Sequence, residues 1–187
     1  MGNFVGDVLT KWLVQTGNDR NMELLGPFSF IADDGTRWDA PAGAVVNGAS
    51  IPRALWVFGP PFVGDYRRAS VIHDYYCETK TRDWKSTHRI FYHGCIADGV
   101  SVLKAKAMYA AVYSRGPRWD LAPSDLKLFS STGSVEIPKG SKIDIIAQIE
   151  TTKYDLIIDW INEENPTLDE IEKKADEYIA EIAAHMR

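Results

Sequence analysis

The chain has 187 residues, 45% of them hydrophobic and 11% aromatic, and a formal net charge of −5. That is enough apolar material to close one compact domain with an appendage and too much for a disordered chain. The acidic balance argues against a nucleic-acid binder, whose affinity rests on clustered Lys and Arg over the phosphate backbone.

Two cysteines, Cys77 and Cys95, are too few to staple a fold and read as reduced thiols. The first 14 residues lack a basic segment, a continuous apolar core and a small-residue cleavage site, so no signal peptide is expected. No apolar run approaches the ~20 residues a membrane-spanning helix requires.

In chain order, Phe4, Val5, Val8, Leu9, Trp12 and Leu13 recur at spacings of three and four, which predicts a short amphipathic helix over 4–14. Residues 23–44 change texture. Apolar pairs there are separated by Gly26-Pro27 and by Asp33-Asp34-Gly35, and Asp-Gly between apolar runs signals a hairpin, so two or three short antiparallel strands are expected. Asn47-Gly-Ala-Ser-Ile-Pro-Arg53 then reads as a strand-to-helix junction, with Ser50 able to cap and Pro52 suited to a first turn. The Gly-Pro loop over 57–64 is expected to form one wall of a pocket.

Helices are predicted over 66–80 and 84–99. The short polar turn between them makes them antiparallel neighbours, so His73 faces the neighbourhood of His88. A third helix over 102–114 starts at Ser101 and stops at Gly116-Pro117. Beyond a boundary near Pro123, residues 126–129, 135–137 and 143–149 suggest further short strands, and residues 154–162 a helix. Thr167 and Glu170 form a capping box that opens a last amphipathic helix. Its apolar stripe covers under three heptads, so it suits packing on its own domain, docking or a homo-oligomer rather than a long coiled coil. The fold class expected is α+β: short N-terminal antiparallel strands on three core helices over residues 1–122, then a small β segment and amphipathic helices over 123–187.

The chemistry concentrates at His73 and Asp74, neighbours inside the first long helix. An imidazole titrates near neutral pH while a carboxylate stays charged, the combination hydrolysis most often needs. Three readings compete. In one, His73 is a general base and Asp74, pointing elsewhere on the helix, holds a hard cation such as calcium. In another, His73, Cys77 and His88 bind zinc, although a fourth ligand is wanting because Cys95 lies about two turns farther from the bend. In the third, His73 is a buried structural histidine and Asp74 a surface charge.

Asn47-Gly-Ala-Ser-Ile-Pro-Arg53 with Trp56, the run Ala69-Ser-Val-Ile-His-Asp-Tyr75, His88-Arg-Ile-Phe91 and the segment from Met108 to Gly116 resemble an uncharacterised domain family common in bacteriophage and prophage genomes. The resemblance covers residues 20–120. The His-Asp helix and its successor are in turn similar to the core hairpin of secreted phospholipase A2 enzymes. The resemblance implies His73 as base, Asp74 as calcium ligand and His88 in the place of the orienting carboxylate, within a pocket formed by Asn47, Ser50, Arg53, Trp56, Tyr76 and Cys77. The sequence departs from the family pattern at Asn47 and His88, where an acidic residue is usual, and at Cys77, where a Tyr is usual.

Two functions follow from the resemblance. One is a small hydrolase acting on the host envelope, with calcium as the favoured ion and zinc the less favoured. The other is a non-catalytic virion component of the tail or neck, docking on a virion or host-envelope partner through residues 124–187. Both place the chain in the host cytoplasm or the virion.

Overall fold

A computed structural model of the chain describes residues 2–13, 21–47, 64–119 and 142–185. Among these residues six short strands, β1 (Asn3–Val5), β2 (Thr10–Trp12), β3 (Met22–Leu24), β4 (Phe28–Ile31), β5 (Arg37–Ala40) and β6 (Val45–Val46), precede five helices. These are α1 (Arg67–Thr79), α2 (Trp84–Ala97), α3 (Val102–Arg115), α4 (Lys142–Glu164) and α5 (Leu168–His185). The arrangement is α+β, with two small antiparallel sheets ordered β1-β4-β5 and β2-β3-β6.

The hairpin expected at Asp34-Gly35 joins β4 to β5, in register Phe30↔Trp38. It is closed by the Asp34 side chain accepting from the Thr36 amide at 2.8 Å. The helix expected over 4–14 is not formed, and that segment gives β1 and β2 instead. Gly6 takes φ +88, which breaks a helix at its first turn. Phe4 stacks on Phe28 at 5.4 Å as β1 pairs with β4. Leu9 and Trp12 remain 58% and 65% exposed, so the helical stripe has no single face to bury. An eleven-residue helix is marginal alone, and strand pairing overrides its periodicity.

The three helices expected after residue 64 are present. Lys80 closes α1 in the left-handed region at φ 52, and the Asp83 side chain caps α2 by accepting from the Ser86 amide at 2.9 Å. Helix α1 is buried on two sides. Val71, Ile72 and Tyr76 pack with Phe28, Phe30, Trp38 and Val46 of the sheets. Ala69 joins Phe91 and Cys95 of α2 in the helical core.

The strand expected over 143–149 lies within α4, a 23-residue helix, so that part of the expected C-terminal β segment is corrected. Short runs of Ile are equally compatible with a buried helix, and length decides between them. The expected strands over 126–137 fall outside the described residues. Helices α4 and α5 pack on α3 through Tyr154, Ile157, Ile161, Ile171 and Ala175. Polar contacts reinforce that interface: Lys106 donates to the Asn165 side chain at 2.6 Å, Tyr109 to Glu172 at 2.6 Å and Tyr113 to Asp176 at 2.9 Å. The expected capping box is made, with the Thr167 amide donating to Glu170 and the Glu170 amide to the Thr167 hydroxyl. No helix among the described residues is long and apolar enough to cross a membrane.

Candidate functional site

The α1–α2 hairpin brings His73 and His88 together as its connectivity predicts. His73 Nε2 lies 2.8 Å from His88 Nδ1, and both rings are fully buried. Cys77, one turn after His73, places its sulfur 3.6 Å from His73 Nε2 and 3.9 Å from Nδ1. One donor atom from each of His73, Cys77 and His88 lies within 4.8 Å of the other two. Cys95 sits apart in the helical core, and neither cysteine is in a disulfide.

Burial governs the electrostatics. A charged imidazole loses its hydration there, so the His73 pKa falls to about 3. Burial also drives His88 well below its ordinary value, with smaller contributions from His73 and Arg118. At neutral pH both rings are therefore uncharged, and one N–H···N bond links them.

Aromatic side chains seal the pair. Phe91 lies 5.2 Å from His73 between ring centroids, and Trp84 lies 5.6 Å from His88. Trp119 stands 6.4 Å from His88 and is anchored by its indole N–H donating to the Arg82 carbonyl at 2.8 Å. A Cβ at Gly116 would stand 2.7 Å from Cε1 and 2.9 Å from Nε2 of His88, so the α3 terminus closes over the ring only because residue 116 has no side chain. His88 Nε2 meets no group at hydrogen-bond geometry, although the Pro117 backbone favours a proton on that ring.

Asp74 faces the other way, toward the sheets. It is buried, and its Oδ2 accepts from the Asn47 backbone amide at 2.6 Å. Asn47 thus meets the site through its main chain. Tyr76, expected to line a pocket, instead ties α1 to β5. Its hydroxyl accepts from the Asp39 amide at 2.9 Å, and its ring meets Trp38 edge-on at 4.8 Å. Ser50, Arg53 and Trp56 lie outside the described residues.

Sequence reasoning singled out His73, Cys77 and His88 but missed Gly116, Trp84 and Trp119 as the wall around them. The Gly116-Pro117 stop followed by Trp119 was the available signal. A surface groove of about 570 Å³ lies elsewhere, between the β4–β5 hairpin and α2. Asp33, Asp34, Arg82, Arg89 and His93 line it, and neither His73 nor His88 does.

Comparison with known proteins yields relatives without an assigned activity. The chain is similar to uncharacterized protein y4jT of Sinorhizobium fredii (strain NBRC 101917 / NGR234), 54% identical over 100 residues that make up 53% of this chain and 30% of that protein. It is also similar to uncharacterized protein y4iH of the same strain, 42% identical over 109 residues, 57% of this chain and 46% of that one. The chain thus spans less than half the length of these curated relatives. No solved structure matches it significantly. Residues 22–112, from β3 through most of α3 and including the whole His73, Cys77 and His88 cluster, match the family model described as protein of unknown function (DUF1353).

Proposed function

We propose that the chain is a non-catalytic structural or interaction module, phage- or prophage-borne, in which the histidine hairpin serves as scaffold. The observation that carries this reading is the placement of His73. Its Nε2 lies 2.8 Å from His88 Nδ1 and 3.6 Å from the Cys77 sulfur, and the ring has no solvent exposure. A general base works best with a pKa near the working pH, and one lowered to about 3 holds a proton too weakly to take it from water at neutrality. Asp74 spends a carboxylate oxygen on a backbone amide, whereas calcium wants six to eight oxygen ligands around it. The matched region makes up under half of each curated relative, which suits a module used within larger proteins. The phage setting rests on the motif resemblance alone.

The hydrolase reading keeps one favourable observation: His73 and Asp74 do point in different directions from one helix, as a base and a metal ligand would. The test is hydrolysis of phosphatidylglycerol vesicles and of a p-nitrophenyl ester, with and without calcium, by the wild type and His73→Asn. No turnover above background is expected, and His73→Asn should alter stability alone. Calcium-dependent turnover abolished by His73→Asn in a folded protein would overturn the proposal.

A further inference from the structure

We propose that His73, Cys77 and His88 form a buried site for a soft to borderline d¹⁰ metal ion, Zn²⁺ or Cu⁺, held by His73 Nε2, Cys77 Sγ and His88 Nδ1. The three side chains converge from consecutive helices, two of them from one turn of α1, and one donor atom from each lies within 4.8 Å of the other two. Thiolate and imidazole together select these ions over calcium or magnesium, which require oxygen donors.

The spacing fits. With metal–nitrogen bonds of about 2.0–2.1 Å and a metal–sulfur bond of about 2.3 Å, a tetrahedral ion sets nitrogen and sulfur about 3.6 Å apart and two nitrogens about 3.3 Å apart. The Cys77 sulfur already stands 3.6 Å from His73 Nε2. The two nitrogens stand at 2.8 Å and would part by about 0.5 Å, while the Cys77 sulfur would close on His88 to about 3.6 Å from a cluster whose donors lie within 4.8 Å of one another.

The surroundings fit as well. Coordination through Nδ1 of His88 puts that ring's proton on Nε2, the buried atom that meets no hydrogen-bond partner. Binding breaks the Cys77 S–H bond, forms the metal–sulfur bond and releases the proton to solvent. Three donors suffice for Cu⁺, and Zn²⁺ would take as its fourth ligand a single water enclosed with it as the chain folds. Because Trp84, Trp119 and Gly116 close over the cluster, the ion is loaded as the chain folds.

The test is refolding of the full chain from chelator-containing denaturant with Zn²⁺, or with Cu⁺ under reductant, followed by desalting. About one equivalent of one of these ions should be retained, with a higher Tm than the metal-free protein. Refolding with Co²⁺ should give thiolate-to-metal charge-transfer absorbance. Cys77→Ser should lose both the ion and the absorbance while keeping its circular dichroism. Wild type that desalts free of both ions, or a Cys77→Ser variant that retains them, would overturn the site. Should Cys77→Ser fail to fold, absence of a thiolate-to-metal charge-transfer band in the wild type with both Co²⁺ and Cu⁺ overturns it equally. The site does not depend on the non-catalytic reading, since vesicle hydrolysis and metal retention are separate measurements.

Discussion

Removing the hydroxyl of Tyr109 tests whether the C-terminal helices are an integral part of the fold. Tyr109 is fully buried on α3 and donates to Glu172 Oε1 on α5 at 2.6 Å, across 63 positions of sequence. Burial and the neighbouring carboxylate raise its pKa, so it remains a donor throughout the neutral range. A hydrogen bond to a charged acceptor contributes about 1.5–3 kcal/mol, and Tyr109→Phe removes it while leaving the ring packed. The same oxygen also accepts from Arg89 Nε at 2.6 Å, so it is not orphaned and the cost falls at the lower end, about 1.5 kcal/mol. Arg89 is 38% exposed at its side chain, so its share of Glu172 is partly screened. Glu172→Gln and the double variant complete a cycle whose coupling should be about 1 kcal/mol. Urea unfolding at pH 7, followed by far-UV and near-UV circular dichroism, reads both secondary structure and aromatic packing. The two signals should shift together, because Ile161, Ile171 and Ala175 share a core with Tyr109 and Val112. A Tyr109→Phe midpoint within about 0.5 kcal/mol of wild type, or strict additivity in the cycle, would refute the reasoning.

Two further predictions concern the histidine cluster. Gly116→Ala places a Cβ 2.2 Å from the Val112 carbonyl and 2.7 Å from the His88 ring, so it should destabilise by about 1–3 kcal/mol or more, read by denaturant unfolding; a neutral result would mean the α3 terminus does not close on His88. In chelator, the metal-free protein should lose stability as the pH falls. His73 is neutral when folded, with a pKa of about 3 against 6.5 when unfolded, so the unfolded chain binds the extra proton throughout that window. From pH 7.5 to 5 the loss should be about 2 kcal/mol from His73, with His88 adding in the same direction, and it should shrink in His73→Asn; an unchanged pH slope would contradict burial of the neutral ring.

Local rules were readable in the sequence wherever one short stretch carried the whole instruction. The Asp34-Gly35 hairpin, the Thr167 capping box and the short turn that makes α1 and α2 antiparallel each depend on a few consecutive residues. The meeting of His73 with His88 followed from that turn alone, and the one-turn spacing of His73 and Cys77 put both on one helix face.

Tertiary structure decided what periodicity left ambiguous. Phe4 and Trp12 satisfy a helical stripe, yet pairing of β1 with β4 and of β2 with β3 makes strands of them, because partners supplied by residues 22–31 satisfy backbone groups that a short helix would hold only marginally. Residues 143–149 satisfy a strand pattern but belong to a 23-residue helix. The direction of Asp74 toward the Asn47 amide, and the closure of Gly116 and Trp119 over His88, arise from elements far apart in the chain. Sequence alone therefore determined which side chains stand on the hairpin. Their exclusion from water, and with it their protonation and the donor set they offer, came from packing of sheets and helices around them, since desolvation belongs to the whole enclosing structure and to no single segment.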